Sequence, residues 1–247
     1  MRIKSVVSHD QRLEYLITMF DVVKYISENP VIQVIDNPGN SIDVAWVDEI
    51  WDAVLLARPW LVDEDIFNVC DIKNGTIRGY FVPYRYYVAQ QEDVTQQLGS
   101  HIKPLAITSF TKTIDGMTLL ARRGLDVYQD AGLWELAPCG GVTSRSVEEA
   151  GNVNYIDALE EEFEEELGIP MRSIESKHFT GLITDKISNV HELIVKVLLS
   201  LTQAEVITCF SRRESSEYNE VMFLSDISKT SNIELGSLSQ FVLLQKF

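Results

Sequence analysis

The sequence predicts an α/β fold, and three observations carry that expectation. Strand-rich runs recur along the chain, and two pairs of them flank Asn74-Gly75 and Asp115-Gly116, residue pairs that tolerate positive φ and so favour hairpins. An acidic, amphipathic helix around Leu159 to Leu167 separates two groups of strands, and an apolar segment from Leu235 to Phe247 closes the chain as a further helix. The 247 residues are 45% hydrophobic, enough for an ordinary packed core in one large domain or two small ones.

The elements follow in order. Residues 9–28 carry apolar positions at Leu13, Leu16, Ile17, Phe20, Val23 and Ile26, a helical spacing that Pro30 stops. Residues 31–36, VIQVID, read as a short strand. From Asp43 to Arg58 a second helix is expected, with Trp46, Ile50, Val54 and Ala57 as its core-facing stripe. The first hairpin spans Ile66 to Tyr80. The segment PYRYYVAQQEDVTQQLG that follows reads as a connecting helix closed by Gly99, and its neighbourhood holds Tyr80, Phe81, Tyr84, Tyr86 and Tyr87. Without a basic groove beside them, packing or an interface is the expected role of these rings, rather than base stacking.

After Pro104, LAITSFTKT and MTLLARR form the second hairpin, and a loop from Gly124 leads to Trp134 and a Pro138-Cys139-Gly140-Gly141 turn. Beyond the acidic helix, KHFTGLITD and HELIVKVLLSL are strands, TQAEVITCF is a short helix and EVMFL a last strand. No repeat or low-complexity linker interrupts the chain.

Composition removes several function classes. A formal net charge of −16 argues against a protein that tracks a phosphate backbone or binds an anionic membrane, while small phosphorylated substrates accompanied by metal stay compatible. Cys70, Cys139 and Cys209 are widely spaced and odd in number, which suits neither a disulfide framework nor a CxxC metal site. His9, His101, His178 and His191 form no ligand spacing. With no apolar leader and no membrane-length run, a soluble cytoplasmic protein is the expectation.

The acidic helix has a defined frame. Asn154 is a plausible N-cap with Asp157 three residues on, and Gly168 stands where helices commonly turn left-handed. At about 100° per residue, Ile156, Phe163 and Leu167 share one arc with Leu159 at its edge. Glu162, Glu165 and Glu166 fall on an adjacent arc, and Asp157, Glu161 and Glu164 face solvent. Like charges spaced three and four apart repel, and no Lys or Arg lies between Val147 and Met171 to relieve them. A hard divalent cation would, since it takes carboxylate oxygens and is readily shared with substrate phosphates.

These residues resemble the Nudix family, whose box reads Gly-x5-Glu-x7-Arg-Glu-U-x-Glu-Glu-x-Gly-U with U a bulky apolar residue. Anchored on Gly168 and Ile169, the resemblance places Glu162, Phe163, Glu165 and Glu166 on the Glu-U-x-Glu-Glu positions and Gly141 on the opening glycine. The preceding LWELAPCGGV is similar to the family's approach to the box. Two features depart from it. The loop after Gly141 is about six residues longer than the family spacing, and Glu161 and Val153 stand where the family has its arginine and the loop glutamate that pairs with it. Pairing of Arg145 with Glu161, in reversed polarity, is one expectation for the missing brace; a solvated loop arginine is the other.

The resemblance implies an α/β/α sandwich with a mixed sheet over residues 100–247, preceded by an N-terminal α+β extension over residues 1–99. That extension would complete a substrate pocket, mediate a homodimer or cover a sheet edge. The implied activity is hydrolysis of a diphosphate linkage in a nucleoside diphosphate joined to another group, a small phosphorylated substrate rather than a nucleic acid or a membrane. Mg²⁺, or Mn²⁺, would be held by Glu162, Glu165 and Glu166 with a carbonyl of Gly141 or Gly140, and would lower the pKa of an attacking water. The Gly140-Gly141 loop would orient the phosphates. Strand alternation puts one of Arg122 and Arg123 on the pocket side to contact phosphate. Trp134 is divided between core packing and stacking on a base or sugar. Glu214, Glu217 and Glu220 are candidates for the general base. A rival reading is a Nudix-like module that binds a nucleotide or sugar without turning it over, to which the absent arginine and enlarged loop would be suited.

Overall fold

A computed structural model describes residues 9–23, 29–39, 43–93, 101–226, 230 and 233–245. The first element is helix α1 (His9–Met19), followed directly by strand β1 (Phe20–Val23). The helix expected over 9–28 therefore stops early, and residues 24–28 lie outside the described part. The cause is tertiary: Phe-Asp-Val-Val suits a pleated surface, and its backbone adds an antiparallel edge, Phe20 opposite Asp185 and Val22 opposite Ile183, to a strand far along the chain.

Strand β2 (Val31–Val34) and helix α2 (Val44–Ala57) follow, the latter capped by the Asp43 carboxylate, which accepts from the backbone of Ala45 and Trp46. Val47, Trp51 and Val54 are the buried residues of α2, so its stripe lies one position on from the expected Trp46 and Ile50, which are half-buried at the flank. Strands β3 (Asp65–Lys73) and β4 (Thr76–Pro83) form the first hairpin, with Asn74 and Gly75 both at positive φ as a two-residue turn requires. Helix α3 (Tyr84–Glu92) is the expected connector, and the remainder of that segment, 94–100 with Gly99, lies outside the described residues.

The second hairpin is β5 (Leu105–Lys112) and β6 (Thr118–Arg123), then come the short strands β7 (Trp134–Leu136) and β8 (Cys139–Gly141) and the acidic helix α4 (Tyr155–Leu167). Strands β9 (Ile174–Asp185) and β10 (His191–Leu199), helix α5 (Gln203–Phe210), strand β11 (Tyr218–Leu224) and helix α6 (Ser237–Gln245) complete the chain. Residues 246–247 of the expected closing helix lie outside the described part.

The main sheet runs β1-β9-β10-β5-β6-β11, with β7 on β6 and β8 on β5. It is mixed, because β10 and β5 pair in parallel while the other pairs are antiparallel. Residue alternation divides the core between its two faces. Leu119, Ala121, Leu182, Leu193 and Val195 pack towards α4 and α5, whereas Leu120, Ile183 and Ile194 pack towards α1 and α6. The result is an α/β fold with helices on both sides of a mixed sheet.

A second, smaller sheet, β2-β4-β3, lies against the α4 side, and its Ile32, Phe67, Val69 and Ile77 share the core of α4. Main-chain bonds stitch it to the long loop before α4: Phe67 N to Val142 O and Val153 N to Ile32 O, both 2.9 Å, and Val34 N to Gly151 O, 3.0 Å. The N-terminal third thus contributes to both faces of the main sheet. Among the described residues no helix is long and apolar enough to cross a membrane.

Candidate active site

Helix α4 is fixed at both ends and along one face. Asn154 Oδ1 accepts from the backbone of Ile156 and Asp157 at 3.2 and 3.3 Å. Gly168, at φ 67°, ends the helix by returning its N–H to Glu164. Leu159, Phe163 and Leu167 are fully buried under it. That anchoring decides where the glutamates go.

Glu166 points inward and is 3% exposed, and its Oε2 atom has no hydrogen-bond partner. Glu162 is half-buried, with its carboxylate packed onto the backbone of Gly140 in β8: a Cβ at that position would run into the carboxylate itself. Glu165 takes the exposed flank instead. Arg145 approaches it at 3.8 Å but makes its closer pair with Glu64, Nε to Oε1, at 3.0 Å. The expected partnership of Arg145 with Glu161 is not formed; β3 lies against the loop that carries Arg145 and brings the preceding Glu64 within reach, while Glu161 faces solvent.

A third acid joins from the residue just before β11. Of the three base candidates, Glu217 turns towards α4, held by Arg123 at 3.2 Å. Glu220 faces away and pairs with Arg122 at 3.5 Å, and Glu214 is exposed beside α5, in a cleft with Arg172 and Arg212 that Glu165 also lines. Burial, followed by the charges of Glu217 and Glu165, pushes the Glu162 carboxyl up to about 8, with Arg145 pulling the other way. Burial raises Glu166 well above the usual carboxylate range, and Glu217 and Glu162 raise it further. Among the described residues no three Asp, Glu, His or Cys side chains are arranged as a ready set of metal ligands.

The arginine alternative is resolved by the register of β6. Arg123 is 13% exposed and is the inward residue: it pairs with Glu135 at 2.9 Å and Glu217, and donates from Nε to Gln129 O. Burial works against its charge, but Glu135, Tyr218 and Glu217 outweigh that and hold it protonated. Arg122 is half-exposed and donates to Gly132 O. Trp134 packs among the residues facing α6, the opposite side of the sheet from α4. Gly141 ends β8 beside open space.

Sequence reasoning missed Glu135 and Tyr218, a buried pair bonded at 2.7 Å that braces Arg123. Only the pairing of β11 with β6, Tyr218 opposite Arg123, puts them together, and no short-range signal carries that register. The chemical capacity of the assembled site is clear from its parts: crowded carboxylate oxygens without a balancing cation at Glu166, a glycine turn against Glu162, and a buried arginine holding Glu217.

No protein-family model matches the chain, and no curated protein does. Solved structures similar to it include a putative Nudix hydrolase, Tm1382, at 15% identity and TM-score 0.43, covering 79% of this chain and 96% of that one. Another is a MutT protein from Methanosarcina mazei Go1, at 18% identity and TM-score 0.39, covering 58% and 91%. A third is a Nudix hydrolase from M. smegmatis, RenU, at 13% identity and TM-score 0.41, covering 58% and 83%. The likeness is one of fold, and at these scores it carries no argument about chemistry, so the function rests on the residues of this chain.

Proposed function

We propose that the chain is a metal-dependent pyrophosphohydrolase that splits a diphosphate linkage in a small nucleotide-like substrate. The observation that carries this reading is the unpartnered, buried Oε2 of Glu166 between Glu162 and Glu217. Burial and the neighbouring Glu217 and Glu162 favour the protonated acid at Glu166, which shares a hydrogen bond with Glu217, and so crowded a set of buried acids persists where a cation or a reaction uses it. The donor set fits Mg²⁺ or Mn²⁺, since it offers hard oxygens only. Glu162 and Glu166 would hold the ion, with Glu165, Glu217 and the main-chain carbonyl of Gly140 or Gly141 within the same neighbourhood. When bound, the ion supplies positive charge against the phosphoryl oxygens.

The protein's own groups do the rest. Glu217, oriented by Arg123, is the group placed to take the proton of the attacking water at a carboxylate oxygen. Gly141, which faces open space beside the Gly140 backbone that Glu162 covers, gives the phosphates an approach free of side chains. Arg123, already engaged by Glu135, acts by positioning Glu217.

The test is a panel of nucleotide sugars, ADP-ribose, dinucleoside polyphosphates and nucleoside triphosphates assayed with Mg²⁺. Glu162→Gln and Glu166→Gln should each lower kcat by about a hundredfold or more on whichever compound is cleaved. Variants that turn it over at the unmodified rate would place the chemistry elsewhere. The second reading, binding without turnover, draws on the turn of Glu165 towards Arg145 and predicts a ligand that binds tightly and leaves unchanged.

A further inference from the structure

The geometry points to a site for a primary ammonium group in a cavity between helix α6 and the main sheet, apart from the α4 carboxylates and independent of the pyrophosphohydrolase reading. The cavity has its origin in the sheet. Strands β5 and β6 pair at Lys112 and Thr118 and then part, leaving their edges to β8 and β7. A cavity of about 340 Å³ opens there, within the range of small-molecule sites. Thr108, Cys139 and Glu192 line it from β5, β8 and β10, and the first turn of α6 lines it from outside the sheet. Glu162, Glu165 and Glu166 do not line it.

The lining is short of positive charge. Asp130, Glu135, Asp185 and Glu192 bring four carboxylates against Arg123, which Glu135 and Glu217 already engage. Glu135 and Glu192 are each 8% exposed. Thr108 Oγ1 donates to Glu192 Oε2 at 3.0 Å, while Arg123 and Tyr218 both donate to Glu135 Oε1, so Glu192 Oε1 and Glu135 Oε2 have no partner among the described residues. The fully enclosed side-chain atoms without a partner are Arg85 Nε, Glu166 Oε2 and Arg213 Nε among the described residues; the two free oxygens therefore open onto the cavity. Burial, then the charges of Glu135 and Asp185, pushes the Glu192 carboxyl up to about 7, against the Thr108 hydrogen bond. A water would serve the free oxygens but brings no charge to balance them; a cation does both.

The remaining lining says which cation. Among the described residues no three acids, histidines or cysteines are set to hold a metal ion, so the fit is to an organic cation. No aromatic ring lines the cavity, which removes the cage that a quaternary ammonium needs and the platform that a nucleobase needs. A primary ammonium brings three N–H donors for the free carboxylate oxygens, and Met19, Leu136, Val190 and Leu238 suit a short alkyl chain behind it. Asp185 adds an acceptor: its Oδ1 takes the backbone N–H groups of Ile187 and Ser188, which leaves Oδ2. The same chemistry serves a free amine or an amine at the far end of a substrate.

The experiment titrates the full chain, in chelator and about 0.15 M salt, with ethanolamine, propylamine and putrescine against propanol and tetramethylammonium, read by calorimetry and saturation-transfer NMR. At least one primary amine should bind about tenfold or more tightly than either control, the neutral one and the one with charge but no N–H donor. Glu192→Gln, which keeps an acceptor for Thr108, should weaken that amine by about thirtyfold or more. Asp185→Asn, which keeps the acceptor for the turn, should weaken it by about threefold or more, and this comparison carries the test if Glu192→Gln does not fold. Propanol or tetramethylammonium binding as tightly as the amines overturns the proposal, as does amine binding indifferent to the folded variants. A nucleoside diphosphate esterified to ethanolamine, compared with one esterified to ethylene glycol, separates the two sources. A KM preference of about tenfold that Glu192→Gln removes makes the ammonium the far end of the substrate, and equal KM values beside retained amine binding make it a separate ligand. Amine binding with no hydrolysis of any diphosphate compound would leave this site standing and remove the hydrolase reading; hydrolysis without amine binding would do the reverse.

Discussion

Glu166 carries opposite consequences for stability and for activity. Its carboxylate is buried beside two others with one oxygen unpartnered, so Glu166→Gln should stabilise the metal-free protein at pH 8 by about 1 kcal/mol or more while removing turnover. Urea unfolding of both proteins in chelator, set beside the assay, checks the pair of effects; a loss of stability would show that Glu166 is satisfied where it stands. His191 offers a titration away from this cluster. Burial, then the charge of Lys103, lowers it from 6.5 to about 4, and its Nδ1 lies 2.8 Å from Thr184 Oγ1. The unfolded chain takes up this proton at a higher pH than the native protein. The stability present above pH 6.5 is therefore lost as pH falls towards 4, by on the order of 3 kcal/mol at most. His191→Gln should flatten that limb in a series of melts between pH 7 and pH 4.

At the scale of elements, α4 depends on its ends as much as on its face. Gly168 sits at φ 67°, and a Cβ there would also lie 2.8 Å from the Cys209 carbonyl at the end of α5. Gly168→Ala should cost about 1–2 kcal/mol or more in chemical denaturation, with the left-handed backbone and the crowding of α5 acting together. An unchanged midpoint would mean that the turn relaxes freely. The long loop before α4 makes a related point. Its length departs from the spacing of the box it resembles, and β2 bonds its backbone at Gly151 and Val153. The brace in this region is main-chain pairing from the N-terminal third, where a pairing of Arg145 with Glu161 was one expectation.

At the scale of the whole molecule, the N-terminal residues are built into the main fold. Phe20 is 3% exposed, with its ring centroid 4.9 Å from that of Phe241 in the closing helix, and β1 covers the edge of β9. Phe20→Ala should lower the stability of the main unfolding transition by roughly 3 kcal/mol, as for a buried core ring. A separate low-temperature transition, with the main one unmoved, would instead show the N-terminal part melting alone. Calorimetry distinguishes the two.

The sequence by itself determined what local chemistry controls. The hairpins follow from Asn74-Gly75 and Asp115-Gly116, the bounds of α4 from Asn154 and Gly168, and the inward Phe163 and Leu167 from helical periodicity. It also singled out Glu162, Glu165 and Glu166 as a set, and offered Glu214, Glu217 and Glu220 without choosing among them. Only the tertiary structure decided which acids converge, because that depends on the register of β11 against β6 and on the burial of α4 over β8. The same holds for β1, whose residues read as helix until a distant strand offers hydrogen bonds. Periodicity and capping act within a few residues, whereas pairing partners and concave surfaces are set by the path of the whole chain.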